Sequence, residues 1–311
     1  MWKANSLYME KSQCNVSIGN TMYRLEKNVR ETPVLRAAFC ALAQEIFSLD
    51  FSSWYENGWW TDKYRPYTLF DGGKAVSNVS ANTMTFRLYG EQKRFLQLGT
   101  VMTAPEYRGR GLSRFLLERV LEEEASSFDL VYLYANDSVL DFYPKFGFQK
   151  AEEADFFLRV GKGLAAKPRR LRIDGEADLQ LLLSCYGCSN PFSACVMEEN
   201  PGLLMFYCGG FLQNCLWYLE KERTVLIAER DEEGWLCWDV FGSPSCSLPA
   251  LLAALPGAEG QKVRLGFLPR PSLPGVEAKP RKEEDETLFV QGEDRKIFQR
   301  EKVLFPLLSH A

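Results

Sequence analysis

Residues 97–117 read QLGTVMTAPEYRGRGLSRFLL, and this stretch decides how the first half of the chain folds. It joins a strand-like run, a turn at Pro105, a glycine loop over 108–113 and the start of a helix. Glycines let the backbone turn tightly and expose successive N–H groups, and a helix N-terminus adds partial positive charge. The stretch predicts an anion site that a pyrophosphate would fit, with a plain strand-to-helix connection as the alternative. Neither a Walker lysine nor a complete dinucleotide fingerprint is present.

The segments around this stretch predict a mixed α/β domain. Residues 32–47 carry apolar residues at helical spacing, and strand-like runs separate this helix from the glycine loop. A helix, a buried strand, a short helix ending at Gly147 and one more strand follow the loop. The predicted strands cover 67–70, 74–86, 94–103, 128–135 and 156–160, and the short helix covers 138–145.

A second domain is predicted after a linker. Residues 161–170 combine small and basic residues with a proline, which is typical of linkers, and 311 residues exceed the usual size of one core. We place a first domain over 1–165 and a second α/β domain over 166–311. Its predicted elements are helices over 174–183 and 248–255, strands over 215–219, 224–229, 235–241 and 263–267, and a solvated charged loop over 279–286. Their order echoes the first half, which leaves open whether the second domain is a degenerate copy.

Composition narrows the function classes. The chain is 46% apolar and 25% charged, and no run reaches the roughly 18 apolar residues that a membrane-spanning helix needs. The first five residues lack the apolar stretch of a signal peptide, so we expect a cytoplasmic protein without a membrane partner. A net charge of -4 and a pI near 5.4 disfavour nucleic acid as a partner, because binding phosphates needs a clustered basic surface.

Metal and histidine chemistry are both disfavoured. The nine cysteines are expected to be reduced, and Cys185 with Cys188 has no second pair at zinc-site spacing, so we expect no metal. His310 is the single histidine and lies one residue from the carboxyl end, where chains usually fray. A histidine base or a histidine-activated nucleophile is therefore not expected.

A second motif makes the interpretation specific. Residues 133–148 read LYANDSVLDFYPKFGF. The loop RGRGLS over 108–113 resembles the (Gln or Arg)-x-x-Gly-x-(Gly or Ala) signature of the GNAT acetyltransferase superfamily, and FYPKFGF over 142–148 resembles its second signature. Both stand in family order and spacing, and the resemblance covers about residues 20–160. Ser113 departs from the usual Gly or Ala, but serine is small, and its hydroxyl could add a hydrogen bond to phosphate.

The resemblance implies the acyl-CoA N-acyltransferase fold, a mixed, mostly antiparallel, splayed sheet flanked by helices that grips acetyl-CoA as co-substrate. The backbone of Val101, Met102 and Thr103 would lie along the pantetheine arm, and Asn136 would contact that arm from the neighbouring strand. The loop amides would hold the pyrophosphate; they belong to Arg108, Gly109, Arg110, Gly111, Leu112 and Ser113.

The resemblance also implies that Tyr143 is the general acid. A phenol of pKa about 10 stays protonated at neutral pH, whereas a departing thiol has a pKa of about 8.5. A nearby phenol can thus protonate or stabilise the developing thiolate. The alternative is that Tyr143 is a core aromatic residue beside Phe142, Phe146 and Phe148.

An amine acceptor needs help to lose its proton, since an alkylamine of pKa about 10.4 is protonated at pH 7. Candidate bases are Asp50, Glu56 and Asp62, which lie in an aromatic-rich segment over 50–67. The alternative is that all three are ordinary surface acids. A cage of aromatic rings and acids would suit an organic cation.

These observations predict an N-acetyltransferase acting on a primary amine of a small molecule or peptide. An acyl-CoA sensor without catalysis is the alternative function, because the second half lacks a glycine loop of its own. The second half could also close the substrate cleft or mediate dimerisation, so a homodimer stays open.

Overall fold

Two β-sheets form the framework of the computed structural model, which describes residues 13–27, 29–161, 167–301 and 303–311. The first sheet has the strand order β1-β2-β3-β4-β5-β6-β16-β7, with β10 also paired to β4. The second has the order β15-β8-β14-β13-β12-β11-β9. The strands are β1 (Gln13–Ile18), β2 (Thr21–Lys27), β3 (Tyr64–Asp71), β4 (Lys74–Leu88), β5 (Glu91–Thr103), β6 (Leu130–Ala135), β7 (Gln149–Lys150), β8 (Ala154–Arg159), β9 (Arg169–Arg170), β10 (Cys195–Glu198), β11 (Leu216–Leu219), β12 (Thr224–Arg230), β13 (Trp235–Gly242), β14 (Lys262–Leu265), β15 (Val276–Pro280) and β16 (Thr287–Gln291).

Helices flank both sheets. The predicted helix over 32–47 forms, with Pro33 at its first position, where the missing N–H costs nothing. The α-helices are α1 (Pro33–Phe47), α2 (Ser52–Glu56), α3 (Leu112–Glu124), α4 (Glu176–Gly187), α5 (Pro201–Gly209), α6 (Leu248–Leu252) and α7 (Ile297–Arg300). In the described part of the chain, no helix is long and apolar enough to cross a bilayer.

The first sheet opens between β5 and β6. These two strands pair in parallel only from Phe95–Gln97 to Leu130–Tyr132, although β5 runs on to Thr103. Beyond Gln97, the edge of β5 that faces β6 therefore has no partner strand among the described residues. The other strand pairs of this sheet are antiparallel. The mixed, mostly antiparallel, splayed sheet predicted above is confirmed.

The two halves of the chain exchange strands. β16, from the end of the chain, pairs with β6 in the first sheet, whereas β8 joins β14 and β15 in the second. The strand predicted over 156–160 forms, but its inward side chains Phe156 and Leu158 pack into a core that both halves share. The alternation that predicts a strand says nothing about which sheet it joins. The boundary at residue 165 stays a prediction, and the sheets themselves do not divide there.

Both sheets share one order of pairings. In each, a run of antiparallel strands ends in a parallel pair joined through a helix, β5-α3-β6 in the first and β13-α6-β14 in the second. The parallel pairing of β13 with β14 spans only Trp235–Cys237, which is as short as the pairing of β5 with β6. A structural duplication would produce this agreement, and duplication remains a prediction.

Three local expectations need correction. The short helix over 138–145 is instead two 3₁₀ turns, Asp137–Val139 and Tyr143–Phe146, because Pro144 cannot donate the hydrogen bond that a continuous helix needs. The loop over 279–286 is not simply solvated, since the Arg281 side chain is only 5% exposed and paired with carboxylates. The carboxyl end does not fray, because Val303, Phe305 and Leu308 are buried between the halves.

Candidate active site

The glycine loop places backbone amides at the start of α3. Gly109 and Gly111 have φ of 77° and 80°, a left-handed conformation that favours glycine. A Cβ built on either would meet no described atom within 4 Å, so the space in front of the loop is open. Among the described residues, no acceptor takes the N–H groups of 109–111, and the first-turn amides of a helix lack intrahelical partners. The loop therefore fits a diphosphate.

Side chains around the loop fix its position and add positive charge. Ser113 Oγ lies 2.6 Å from Thr103 Oγ1, which ties the start of α3 to the end of β5. The Ser113 hydroxyl is thus engaged with Thr103, which differs from the phosphate contact considered above. The Arg110 guanidinium lies over the Tyr107 ring at 4.6 Å and donates to the Glu106 carbonyl. Arg108 donates through Nε to the Thr103 carbonyl at 3.3 Å.

A β-bulge sets the course of β5 before the loop. The register with β4 shifts between Asn78 and Ser80, and Thr100 adopts a φ of 43°. Buried hydrogen bonds hold this bulge: Thr100 Oγ1 lies 2.7 Å from the Tyr64 hydroxyl and donates to Ser80 Oγ at 2.6 Å. The segment Val101–Thr103 follows directly, along the opening between β5 and β6.

Tyr143 starts the second 3₁₀ turn and is 4% exposed. Its ring packs against Phe142, Phe148 and Phe289. Burial raises the pKa of its phenol to about 12. Its hydroxyl has no hydrogen-bond partner among the described residues, and Tyr143 lines a cavity.

This cavity, of about 660 Å³, lies where the sheet opens. Three of the residues predicted to serve the co-substrate or the chemistry reach it, namely Val101, Asn136 and Tyr143. The second half supplies part of the wall through Leu203, Phe206, Tyr207 and Trp238. The sheet opening and the phenol thus meet at one space. Met102, Thr103 and the glycine loop follow along the chain and do not line it.

The family model of the acetyltransferase (GNAT) domain matches residues 37–151, which contain the loop, the bulge and Tyr143. The chain therefore contains a GNAT acetyltransferase domain over these residues. GNAT domains carry out acyl transfer with acetyl-CoA as co-substrate.

Solved GNAT structures share the fold over most of the chain. A GCN5-related N-acetyltransferase from Kribbella flavida is 17% identical with a TM-score of 0.55, covering 86% of this chain and 71% of that one. A conserved protein from Enterococcus faecalis, described as a probable N-acyltransferase, is 15% identical with a TM-score of 0.56, covering 89% and 74%. Eis1 from Mycobacterium abscessus is 12% identical with a TM-score of 0.52, and the match covers 81% of this chain and 70% of that one. No curated protein matches the sequence.

The three carboxylates predicted as bases lie outside the lining of the cavity. Asp50 accepts the Ser52 amide at 2.8 Å, a bond that lowers its pKa. The Asp62 side chain is 84% exposed and pairs with Arg30 at 2.5 Å, and Glu56 is exposed. The aromatic neighbours turn inward instead, because burying rings is favourable and burying carboxylates is not. The base role predicted for the three acids finds no support in their positions.

Aromatic rings from both halves form one wall of the cavity. Phe51, Trp54 and Tyr64 pack on one another with ring centroids 5.5–6.0 Å apart. Phe206 of α5 stacks on Phe51 at 5.6 Å, and Trp54 Nε1 donates to the Gly202 carbonyl at 2.6 Å. The aromatic segment therefore docks the second half beside the cavity.

Carboxylates that the sequence did not single out form another wall. We call residues 283–286 the acidic segment; Glu283, Asp285 and Glu286 line the cavity. Asp285 accepts the Asp137 amide at 2.9 Å, which places the segment beside Asn136. In the described chain, no group of three His, Cys, Asp or Glu side chains is arranged to hold a metal.

Two arginines hold the acidic segment in place. Arg281 pairs with Glu286 at 2.8 Å and with Asp155 at 3.0 Å, and Arg264 contacts both Asp155 and Glu283. Glu153 lies 3.9 Å from Arg281, and burial raises its pKa to about 7. Four carboxylates contact these two guanidinium groups, namely Glu153, Asp155, Glu283 and Glu286. Three carboxylates and two guanidinium groups line the cavity itself, so this wall has a formal net charge of -1; they are Glu283, Asp285, Glu286, Arg264 and Arg281.

The last residues reach the base of the sheet opening. Ala311 donates its amide to Gln97 Oε1 at 3.1 Å, and a Cβ on Gly99 would overlap the Ala311 carbonyl oxygen. The Tyr207 hydroxyl donates to the His310 carbonyl at 2.6 Å. Sequence reasoning missed this contact, although a glycine inside a strand signals a close approach of another backbone.

Proposed function

We propose that this GNAT enzyme transfers an acetyl group from acetyl-CoA to a primary amine that enters the cavity beside Tyr143. The observation that carries the proposal is the convergence of Val101, Tyr143 and the acidic segment on one cavity. The amides of the glycine loop would bind the pyrophosphate. The pantetheine arm would then run back along Val101–Thr103, which brings the thioester to the base of the opening near Gly99.

The chemistry needs one phenol and one neutral amine. The amine nitrogen attacks the thioester carbonyl, the new C–N bond forms, and the C–S bond breaks. Tyr143 gives its proton to the departing sulfur, and the proton that the nitrogen loses leaves to solvent and finally restores the phenol. Because burial holds the pKa of Tyr143 near 12, the phenol is fully protonated when the sulfur departs.

The cavity walls indicate the acceptor. Aromatic rings bind the apolar body of a ligand and the face of a cation, and the negative wall attracts an ammonium group. Leaving water for the apolar part of this space lowers the pKa of the amine, which opposes the pull of the carboxylates on the ammonium form and helps the amine to lose its proton. We infer an amine carried on an apolar or aromatic body, as a small molecule or as a peptide side chain.

The second half serves this proposal by closing the acceptor cleft. It supplies Phe206, Tyr207 and Trp238 together with the acidic segment, whereas the glycine loop and Tyr143 belong to the first half. A homodimer remains a prediction.

A thiol-release assay tests the function. The full chain is mixed with acetyl-CoA and a panel of primary amines, with the hydroxyl analogue of each amine as the control. We expect free thiol and the N-acetyl product only with amines, and faster turnover with arylalkylamines than with short alkylamines. Calorimetric binding of acetyl-CoA without thiol release from any amine would instead favour a sensor.

Removing one charge from the negative wall should weaken amine binding. Glu286→Gln keeps the shape and the Arg281 contact but removes a carboxylate charge near the cavity. We expect the KM of a cationic acceptor to rise roughly three- to tenfold, with little change in kcat, because a partly exposed charge close to an ammonium group contributes about 1 kcal/mol.

Asp62→Asn is the matched control, because Asp62 is exposed and lies outside the cavity. Its amine KM should equal that of the wild-type enzyme. If Asp62→Asn raises the KM of the amine more than Glu286→Gln does, the ammonium group binds beside the aromatic-rich segment over 50–67. That result would contradict binding at the acidic segment.

A further inference from the structure

The single histidine lies in the cavity. The His310 ring stacks on Tyr134 with ring centroids 3.9 Å apart and planes inclined by 28°. Hydrogen bonds hold the backbone on both sides, since Tyr207 donates to the His310 carbonyl and the next amide donates to Gln97. His310 lines the same space as Gly99 and Tyr143. The ring is therefore a fixed part of the wall next to the base of the sheet opening.

One ring nitrogen of the half-buried His310 is shielded from solvent and has no hydrogen-bond partner. His310 Nε2 has no donor or acceptor within reach in the part of the chain that is described. Leaving a buried polar group unpaired costs about 1–3 kcal/mol, and folded proteins pair nearly all such groups. Burial, aided by the nearby charge of Arg281, lowers the pKa of His310 to about 3. The ring is thus neutral at physiological pH, and a neutral imidazole has one protonated nitrogen that donates and one unprotonated nitrogen that accepts a hydrogen bond.

Several polar groups near His310 are already engaged. The Tyr64 hydroxyl is bonded to Thr100, the Tyr134 hydroxyl donates to Glu153 at 3.2 Å, and the Tyr207 hydroxyl donates to the His310 carbonyl. Gln97 Oε1 accepts the Ala311 amide. The unprotonated ring nitrogen of His310 and the Tyr143 hydroxyl are left free by these contacts, and the hydroxyl is assigned above to the sulfur.

We propose that a ring nitrogen of His310 accepts a hydrogen bond from the N–H of the bound acceptor amine. The proposal rests on the amine acetylation proposed above. An amine held by one N–H keeps its lone pair free, and a ring fixed by stacking on Tyr134 directs that lone pair toward the thioester near Gly99. The ring nitrogen of His310 would then have a hydrogen-bond partner only when the acceptor amine is bound.

His310→Phe separates this role from a structural one. Phenylalanine keeps a flat ring that can stack on Tyr134 but removes both nitrogens. We expect kcat/KM for the amine to fall about tenfold, which matches a lost hydrogen bond of roughly 1.4 kcal/mol. The Kd of acetyl-CoA should stay unchanged, and the Tm should stay equal or rise, because an unpaired buried polar group has been removed.

His310→Gln is the conservative variant, since its side-chain oxygen can accept in place of the ring nitrogen, and it should recover part of kcat/KM. Wild-type activity in His310→Phe would overturn the inference while leaving the acetylation intact. A lower Tm together with equal losses in both variants would also overturn it, because that result indicates a packing role. Absence of amine-dependent thiol release from the wild-type protein would remove the proposed function and this inference together.

Discussion

Tyr143→Phe should lower kcat by roughly 10² to 10⁴ while leaving the Kd of acetyl-CoA unchanged. The substitution removes only a hydroxyl, and the ring would keep its contacts with Phe142, Phe148 and Phe289. The sulfur would then depart as a free thiolate into a largely apolar space, where an unpaired charge is costly. Steady-state thiol release and calorimetry measure the two quantities.

The pH profile offers an independent check of the same residue. The active form of Tyr143 is protonated, and burial raises its pKa to about 12, so the phenol keeps its proton throughout the usual assay range. We therefore expect no loss of kcat between pH 8 and about pH 10 that can be assigned to Tyr143. A profile that falls with an apparent pKa near 9 in the wild-type enzyme, and is flat in Tyr143→Phe, would contradict this expectation.

Tyr23→Phe is the matched control for the hydroxyl deletion. Tyr23 is 2% exposed and belongs to the same hydrophobic cluster as Tyr143, but it does not line the cavity. Its variant should retain wild-type kcat. If Tyr143→Phe also retains wild-type kcat, Tyr143 is a core aromatic residue, which is the alternative that its sequence context allowed.

Sequence reasoning predicted the parts of the site that local chain geometry sets. The glycine loop, the helix that follows it and the turn at Gly147 depend on left-handed φ values and helix termini, which neighbouring residues specify. The helix over 32–47 and the long strands follow from apolar spacing in the same way. Residues close together in the sequence determine each of these features, so the sequence alone is enough to predict them.

Sequence reasoning could not predict the parts of the site that distant segments bring together. The acidic segment reaches the cavity because β16 pairs with β6, about 150 residues earlier in the chain. His310 reaches it because the last residues are buried between the halves. A charged run and a chain end are usually solvated. Here the ion pairs of Arg281 hold the charged run against the protein, and the close approach of Ala311 to Gly99 holds the chain end.

The positions of the three predicted acids give their base role no support, for a related reason. Asp50, Glu56 and Asp62 were attractive because aromatic residues surround them, and neighbours in sequence suggest neighbours in space. In a compact turn, however, the rings and the carboxylates face opposite ways. Phe51, Trp54 and Tyr64 face the cavity, whereas Asp62 pairs with Arg30 and Asp50 accepts a backbone amide. The composition of the segment was informative, but the orientation of its side chains was not encoded in it.

Ser113→Glu should raise the Kd of acetyl-CoA by about 100-fold or more. The new carboxylate would stand in the first turn of α3, next to the amides that we assign to the pyrophosphate, and like charges at this distance repel by a few kcal/mol when partly shielded from water. A glutamate at a helix N-terminus is itself favourable, because it opposes the helix dipole. The Tm without ligand should therefore change little, apart from the loss of the Ser113 contact with Thr103.

Two further variants divide this effect into its causes. Ser126→Glu adds the same charge beyond the other end of α3, at an exposed position, and should leave the Kd unchanged. Ser113→Ala removes only the hydroxyl and its bond to Thr103. A small loss of acetyl-CoA affinity in Ser113→Ala and a large loss in Ser113→Glu would show that the added charge causes the effect. High salt should recover part of the affinity of Ser113→Glu, since screening weakens the repulsion. An unchanged Kd in Ser113→Glu would mean that the diphosphate lies elsewhere, because no anion could share the amides with a fixed carboxylate at no cost.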